Sequence, residues 1–258
     1  MKPTYSSEPQ QVLVTGAAGA IGRTVCRELI ARGHRVRGFD RVVPPKTIEG
    51  LTDMRLGALE DQEAVDDAVA GVDVVVHLAA KPDESDFKKE LLGPNVIGAY
   101  HVLESARQHQ VGRVVLTSTS QVIDGKPWTE RTMSSDEPLS PRGHYAVTKI
   151  LAETWGLYYS QQHNMSIIVV RPGGYLRGRP DLKKYDASVR EQRLYLSPGD
   201  AGRFYALCVE VQNVSYAILY ATSQSVDDTV YLDLEPAKRI IGYEPQDRWP
   251  PTKEDLDA

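Results

Sequence analysis

Short unbroken apolar runs alternate along the chain with segments whose apolar residues recur at helical spacing. That pattern predicts β-α-β units around a parallel sheet. The run at 11–15 (QVLVT) reads as a strand. After a glycine-rich turn, Ile21, Val25 and Leu29 recur every four residues with Cys26 and Ile30 beside them, which places one apolar stripe on a helix ending near Gly33. Segments 35–40 (RVRGFD), 54–56 and 72–79 (VDVVVHLA) read as the second to fourth strands, with a helix at 61–70 ahead of the fourth. The near-continuous apolar character of 72–79 suits burial on both faces. Farther on, Val96, Ala99, Tyr100, Leu103 and Ala106 mark a helix over 91–108, and 113–118 (RVVLTS) is the fifth strand. A helix at 145–162 leads into a sixth strand at 166–171 (SIIVVR), which Pro172-Gly173-Gly174 breaks. Strands joined by helical crossovers predict an α/β fold, a doubly wound parallel sheet over 1–174. The remainder, 175–258, is less regular, with a polar loop, helices near 199–211 and 235–241, and a strand-like 216–222. It is expected to form a small substrate-binding lid integrated with the same domain.

Charge and composition narrow the choice of partner. Among 258 residues, 30 Lys and Arg face 35 Asp and Glu, a net charge of −5, and no basic run stands out. Nucleic acid and anionic membrane are therefore not expected as partners, and a small molecule is. The two cysteines, Cys26 and Cys208, cannot build a disulfide framework and sit in no metal-ligand spacing, so no metal site is expected. The polar N-terminal stretch lacks the apolar segment of an export signal, and nowhere do about 18 consecutive apolar residues occur. A cytoplasmic protein is expected.

Two constellations carry chemistry. Thr15-Gly16-Ala17-Ala18-Gly19-Ala20-Ile21-Gly22 follows a strand and opens a helix, the setting in which a glycine-rich turn binds a dinucleotide. Gly16 permits the tight turn, Gly19 lets backbone N–H groups approach a pyrophosphate, and Gly22 allows close helix packing. Asp40, 18 residues past Gly22 at the end of the second strand, is placed to accept hydrogen bonds from both ribose hydroxyls of an adenosine. Its charge favours NAD over NADP, although the adjacent Arg41 could pair with a 2′-phosphate. The second constellation is Tyr145 and Lys149, four residues apart on one helix face, where an ammonium is expected to lower the pKa of a phenol and let it act as a base.

The TGxxGxxG form of the turn, taken with the Tyr/Lys pair, resembles the short-chain dehydrogenase/reductase superfamily, which implies a Rossmann fold and a nicotinamide cofactor. His77-Leu78-Ala79-Ala80 and the RPG at 171–173 resemble its NAD-dependent epimerase/dehydratase group. The resemblance implies that Leu78, Ala79 and Ala80 pass beneath the cofactor and that Leu59, in Ala58-Leu59, contacts adenine. It also implies that Asn95 bonds backbone near the active site, while His77 reads as a packed core histidine. In the segment 114–122 (VVLTSTSQV), alignment on the apolar residues selects Thr119 as the hydroxyl that orients the substrate oxygen, with Ser118 second. Thr119, Tyr145 and Lys149 are then the catalytic set. Tyr145 takes the proton, Lys149 holds nicotinamide ribose, and NAD accepts the hydride.

Within that group the 87 residues after Arg171 are few for a nucleotide-sugar site. Arg190, the 194–197 LYLS run, Asp200 and the closing 242–247 GYEPQD most resemble uronate dehydrogenases. This implies oxidation of a sugar or sugar acid, such as a hexuronate at C1, with Arg190 clamping the carboxylate and Ser120 and Gln121 against the sugar where that family has Asn-His. An epimerase or dehydratase recycling NAD internally, or a cofactor-binding regulator without turnover, are the other readings. The helices around 91–108 and 145–162 resemble the superfamily's interface pair, so a homodimer is expected.

Overall fold

The computed structural model describes residues 2–127, 131–178, 182–186 and 188–253. Strand β1 (Gln11–Thr15) leads through the glycine turn into α1 (Ala20–Ala31), followed by β2 (Arg35–Asp40), β3 (Asp53–Leu56), α2 (Gln62–Val69) and β4 (Val74–His77). A π-helical stretch, Phe87–Ile97, runs into α3 (Gly98–Gln108), and β5 (Arg113–Thr117) ends at a 3-10 turn, Ser120–Ile123. Then come α4 (His144–His163), β6 (Ser166–Pro172), β7 (Gly174–Tyr175), α5 (Leu182–Asp186), α6 (Val189–Arg193), β8 (Tyr195–Leu196), α7 (Pro198–Glu210), β9 (Tyr216–Ala221) and α8 (Glu235–Ile241).

Seven parallel strands form one sheet in the order β3-β2-β1-β4-β5-β6-β9, and β7 pairs with β8 beside it. The order reverses between β1 and β4, the place where a doubly wound sheet opens a crevice at its strand ends. Alternate residues face opposite layers. Val12, Val14, Val76, Val115, Ile168 and Leu219 pack under α1 and α7. Leu13, Val75, Val114, Leu116, Ile167 and Val169 pack under α2, α3 and α4.

Two elements differ from the sequence pattern. Strand β9 pairs with β6 from Ile167 against Tyr216 to Pro172 against Ala221, so the segment read as part of a lid supplies a seventh strand of the main sheet. The helix expected over 91–108 starts at Phe87 with a π-helical stretch. Pro94 lies inside it, and proline has no N–H to give and crowds the carbonyl four residues back, which the wider turn relieves.

The C-terminal GYEPQD is a clasp. Asp200, with no exposure to water, accepts the backbone N–H groups of Gln246 at 2.9 Å and Asp247 at 3.0 Å. Arg203 bridges Asp200 and Asp247 at 2.8 and 2.6 Å. Tyr243 donates to Thr222 O at 2.8 Å and packs edge-on against Phe204. Among the described residues no helix is long and apolar enough to cross a membrane. Removing Asp200, itself fully buried, strands two part-buried amides and a half-buried guanidinium, so Asp200→Ala is expected to lower stability by about 3 kcal/mol, read as a lower urea midpoint.

Candidate active site

Two contiguous cavities open at the β1/β4 reversal. The first, about 350 Å³, is lined by Gly16, Gly19, Ala20, Ile21, Gly22, Asp40, Leu59, Leu78, Ala79 and Ala80, with Phe39, Arg41, Glu60 and Pro94 among the others. The turn is tight because its glycines leave no room for side chains. Gly16 has φ +74°, and a Cβ there would come 2.8 Å from Ala79 N, while one on Gly22 would come 2.0 Å from Gly16 O. Thr15 Oγ1 accepts the N–H groups of Leu78 and Ala79, both at 3.2 Å, joining the turn to the HLAA segment. Asp40 uses one oxygen on Arg41 N at 2.7 Å and the other on Ala18 N at 3.0 Å. Ala18 thus sits behind the turn, oriented by Asp40, and does not line the cavity.

The second cavity, about 430 Å³, is lined by Ser118, Thr119, Gln121, Tyr145, Lys149, Asp83, Tyr175 and Tyr185, and shares Ile21, Leu78, Ala80, Pro82, Thr117 and Arg177 with the first. Thr119 caps the 3-10 turn, its Oγ1 accepting Gln121 N at 3.2 Å, and it lines the same cavity as Tyr145, whose phenol it helps to ionise. Ser118 instead donates to Glu153 Oε1 at 2.5 Å. With that proton committed to Glu153, Thr119 is the neighbouring hydroxyl whose side chain is not spent on a buried acid.

Glu153 is the anchor. Arg171 grips it twice, Nε to Oε1 at 2.8 Å and Nη2 to Oε2 at 2.7 Å, in a pair whose side chains are 2% and 6% exposed. The N-terminus of α4 is fixed by Glu84, whose carboxylate accepts Tyr145 N at 3.0 Å and His144 N at 3.1 Å, a favourable place for a negative charge. Between these points Lys149 Nζ donates to Thr117 O at 3.0 Å.

Burial dominates the electrostatics. It pushes the Tyr145 phenol up to about 12, helped by Asp83 and opposed by Arg177 and the Thr119 hydrogen bond. Burial also pushes the Lys149 ammonium down to about 8. The expected lowering of the phenol by Lys149 is therefore not seen. Nζ lies 5.8 Å from the ring centroid and is directed at Thr117 O, while desolvation of the phenolate outweighs it. His77, held by Thr15 Oγ1 at 2.8 Å, is driven down to about 3 by burial and by Lys149, a neutral core histidine.

Three further residues marked in the sequence lie off the cavity walls. Asn95 accepts Lys81 N at 2.7 Å and donates to Lys81 O at 3.0 Å and Thr148 Oγ1 at 3.2 Å. It fixes the 81–86 loop to α4 and does not line the cofactor cavity. Ser120 is buried at the start of the 3-10 turn. Arg190, on α6, holds Asp124 Oδ1 at 2.5 Å, so its guanidinium is directed at the loop behind Gln121. Pro82, Asp83, Tyr175, Arg177 and Tyr185 line the site without having been marked. They stand in irregular segments where no period distinguishes them, and Glu153 alone carried a signal, as the next residue on the Tyr145/Lys149 stripe.

Residues 12–178 match the model of the NAD dependent epimerase/dehydratase family. The chain is 31% identical over 252 residues to an L-arabinose 1-dehydrogenase (NAD(P)(+)) of Haloferax volcanii, covering 92% of this chain and 96% of that one. It is 27% identical over 237 residues to a uronate dehydrogenase of Pseudomonas syringae, covering 92% and 82%. The solved uronate dehydrogenase from Agrobacterium tumefaciens superposes with a TM-score of 0.79 at 25% identity, covering 93% of this chain and 85% of that one. With the dinucleotide turn, the HLAA segment and the Tyr/Lys face all on one crevice, the chain belongs to the NAD-dependent epimerase/dehydratase family of the short-chain dehydrogenase/reductase superfamily.

Proposed function

We propose that this chain is an NAD-dependent dehydrogenase that oxidises a hydroxyl of a free sugar or sugar acid, with a hexuronate at its anomeric carbon as the leading substrate. The observation that carries the reading is the joining of the two cavities, so that Thr119, Tyr145 and Lys149 open onto the same space as the glycine turn. The residues present suit NAD. The first cavity is a cradle that a Cβ on Gly16 or Gly22 would fill, and Asp40 at its wall favours ribose hydroxyls over a phosphate. When bound, NAD supplies the hydride acceptor. Thr119 orients the substrate hydroxyl, Tyr145 takes its proton, and Lys149 holds ribose and supplies positive charge beside the phenol. Gln121 shapes the sugar end, with Ser120 buried behind it in the 3-10 turn. A neutral aldose is the second reading, favoured by the likeness to the arabinose dehydrogenase and by the engagement of Arg190 with Asp124.

We also read the chain as a cytoplasmic homodimer. Tyr100, Val147 and Tyr158, on α3 and α4, are 44, 48 and 50% exposed, a spread of apolar side chains on adjacent helices that a second copy would cover. Light scattering is expected to give twice the 28.6 kDa of one chain, and the mass of a single chain would remove the dimer.

The activity test is NADH absorbance across uronates, neutral aldoses, polyols and nucleotide sugars. Net NADH from a uronate is expected, and Tyr145→Phe is expected to reduce kcat by at least about 100-fold with NAD affinity nearly kept. Reaction of nucleotide sugars alone, without net NADH, would replace the dehydrogenase with an epimerase.

Lys149 gives a prediction on stability. Its folded pKa, about 8, lies below the ordinary lysine value of 10.5, so the charged form is penalised by folding. The cost is complete below pH 8 and disappears as pH rises from about 8 to 10.5, where only the unfolded chain holds the proton. Lys149→Met is therefore expected to lose activity yet gain up to about 3 kcal/mol of stability at pH 7, with the gain vanishing near pH 10.5 in urea titrations.

A further inference from the structure

A second arginine reaches the site from the loop after β7. Arg177 lines both cavities. Its Nη1 donates to Asp83 Oδ2 at 3.2 Å, and the two side chains are 52% and 63% exposed. Asp83 belongs to a loop pinned on both sides, by Asn95 on the Lys81 backbone and by Glu84 on the N-terminus of α4. Its own φ of +64° lies in the left-handed region, which aspartate tolerates better than most residues. The carboxylate is thus held at the cavity wall by a loop fixed before and after it.

Among the described residues lining the second cavity, the charged ones are Asp83, Lys149 and Arg177. Lys149 is buried and directed at Thr117 O. Arg190 is outside the lining, on Asp124. A carboxylate entering with a sugar therefore meets the Arg177 guanidinium, which is paired with the exposed Asp83.

We propose that Arg177 selects sugars bearing a carboxylate, exchanging Asp83 for the substrate's anion, with Asp83 as its displaceable counter-ion. This deepens the sugar-acid reading and rests on it. An exposed ion pair is weakly held, so the exchange costs little. A guanidinium against a carboxylate in a ligand-filled cavity gains from two parallel hydrogen bonds. The same pair bears on the Tyr145 phenol, whose proton Asp83 holds more tightly and Arg177 loosens. The other groups facing or holding Tyr145 are the Thr119 hydroxyl, Lys149 at 5.8 Å from the ring centroid, Tyr205 below, and Glu84 on its backbone N–H.

The test compares wild type, Arg177→Gln, Asp83→Asn and Arg190→Gln in kcat/KM for D-galacturonate and for L-arabinose, with NAD affinity by calorimetry and pH profiles of kcat. Arg177→Gln is expected to lower the acid-to-neutral ratio roughly 30-fold and move the rising limb, which reports ionisation of the Tyr145 base, to higher pH. Asp83→Asn is expected to raise the ratio several-fold and move the limb to lower pH, an opposition that a merely structural role of the loop would not produce. Wild type oxidising galacturonate while Arg177→Gln keeps the ratio would overturn the inference alone. So would a loss confined to Arg190→Gln, which would make that residue the clamp, or a loss of NAD affinity at constant ratio, which would assign Arg177 to the pyrophosphate. Losses in the same direction for Arg177→Gln and Asp83→Asn would also overturn it. Wild type oxidising arabinose and no uronate would remove the sugar-acid reading together with the inference.

Discussion

Glu153 and Arg171 form a two-pronged ion pair almost out of reach of water, and the geometry of the site hangs from it. Arg171 lies near the end of β6, Glu153 lies in α4, and Ser118, just past β5, donates to the same carboxylate. One acid thereby ties the helix to two adjacent strands and sets its rotation about its axis. Tyr145, Lys149 and Glu153 follow one another at intervals of four, so they share a face. Once Glu153 is locked to the sheet, the ammonium one turn earlier meets the Thr117 carbonyl and the phenol two turns earlier overhangs Thr119. Removing either partner of such a pair leaves a charge buried alone, at a cost of about 3–5 kcal/mol, whereas an apolar pair of matching volume can be neutral. Stability alone does not call for ions here. What they supply is direction, because a guanidinium meets a carboxylate in few orientations.

The start of α4 is held in a contrasting way. Glu84 reaches across from the loop after β4 and caps Tyr145 N and His144 N, and its carboxyl is held below its ordinary value first by the Tyr145 N–H. A side chain on Gly143 would meet that carboxylate at 2.2 Å, so the helix begins with glycine where the acid approaches. The middle of α4 is thus set by a buried pair and its start by an exposed cap on a loop that also carries Asp83. The wall of the second cavity and the position of the base are parts of one segment.

This division explains how far the sequence could be read. Periodic segments were legible. The strands from Gln11 to Pro172 and the helices α1, α2 and α4 stand where apolar spacing put them, because a two-layer core imposes that spacing. The glycine turn and Asp40 were legible because a backbone that must approach Ala79 closely leaves no choice but glycine. The stripe was read at Tyr145 and Lys149 but not carried one step on to Glu153, since a mid-helix acid ordinarily faces water and its partner Arg171 is close only in space. Arg177, Asp83 and Tyr185 lie in turns and irregular stretches where nothing local separates a residue facing a cavity from one facing solvent. Strand β9 was seen but misplaced, because a segment's membership of a sheet depends on pairing with β6, which a local pattern does not record. GYEPQD, noted as a mark of resemblance, proves to be a structural clasp on Asp200 and Thr222.

Desolvation acts on Tyr145 and Lys149 in opposite senses. It holds the Tyr145 phenol up at about 12 and the Lys149 ammonium down at about 8, since in each case the charged form is the one that loses water. The chain's own residues therefore leave the phenol protonated at neutral pH, with a cation nearby that is itself costly to keep. Asp83 works against ionisation and Arg177 for it, so the balance between them is adjustable without touching the buried groups. A site arranged in this way binds its proton tightly until positive charge enters with the ligands. Proton transfer is then tied to occupancy, and a carboxylate that alters the Asp83–Arg177 pair alters the base as well as the affinity.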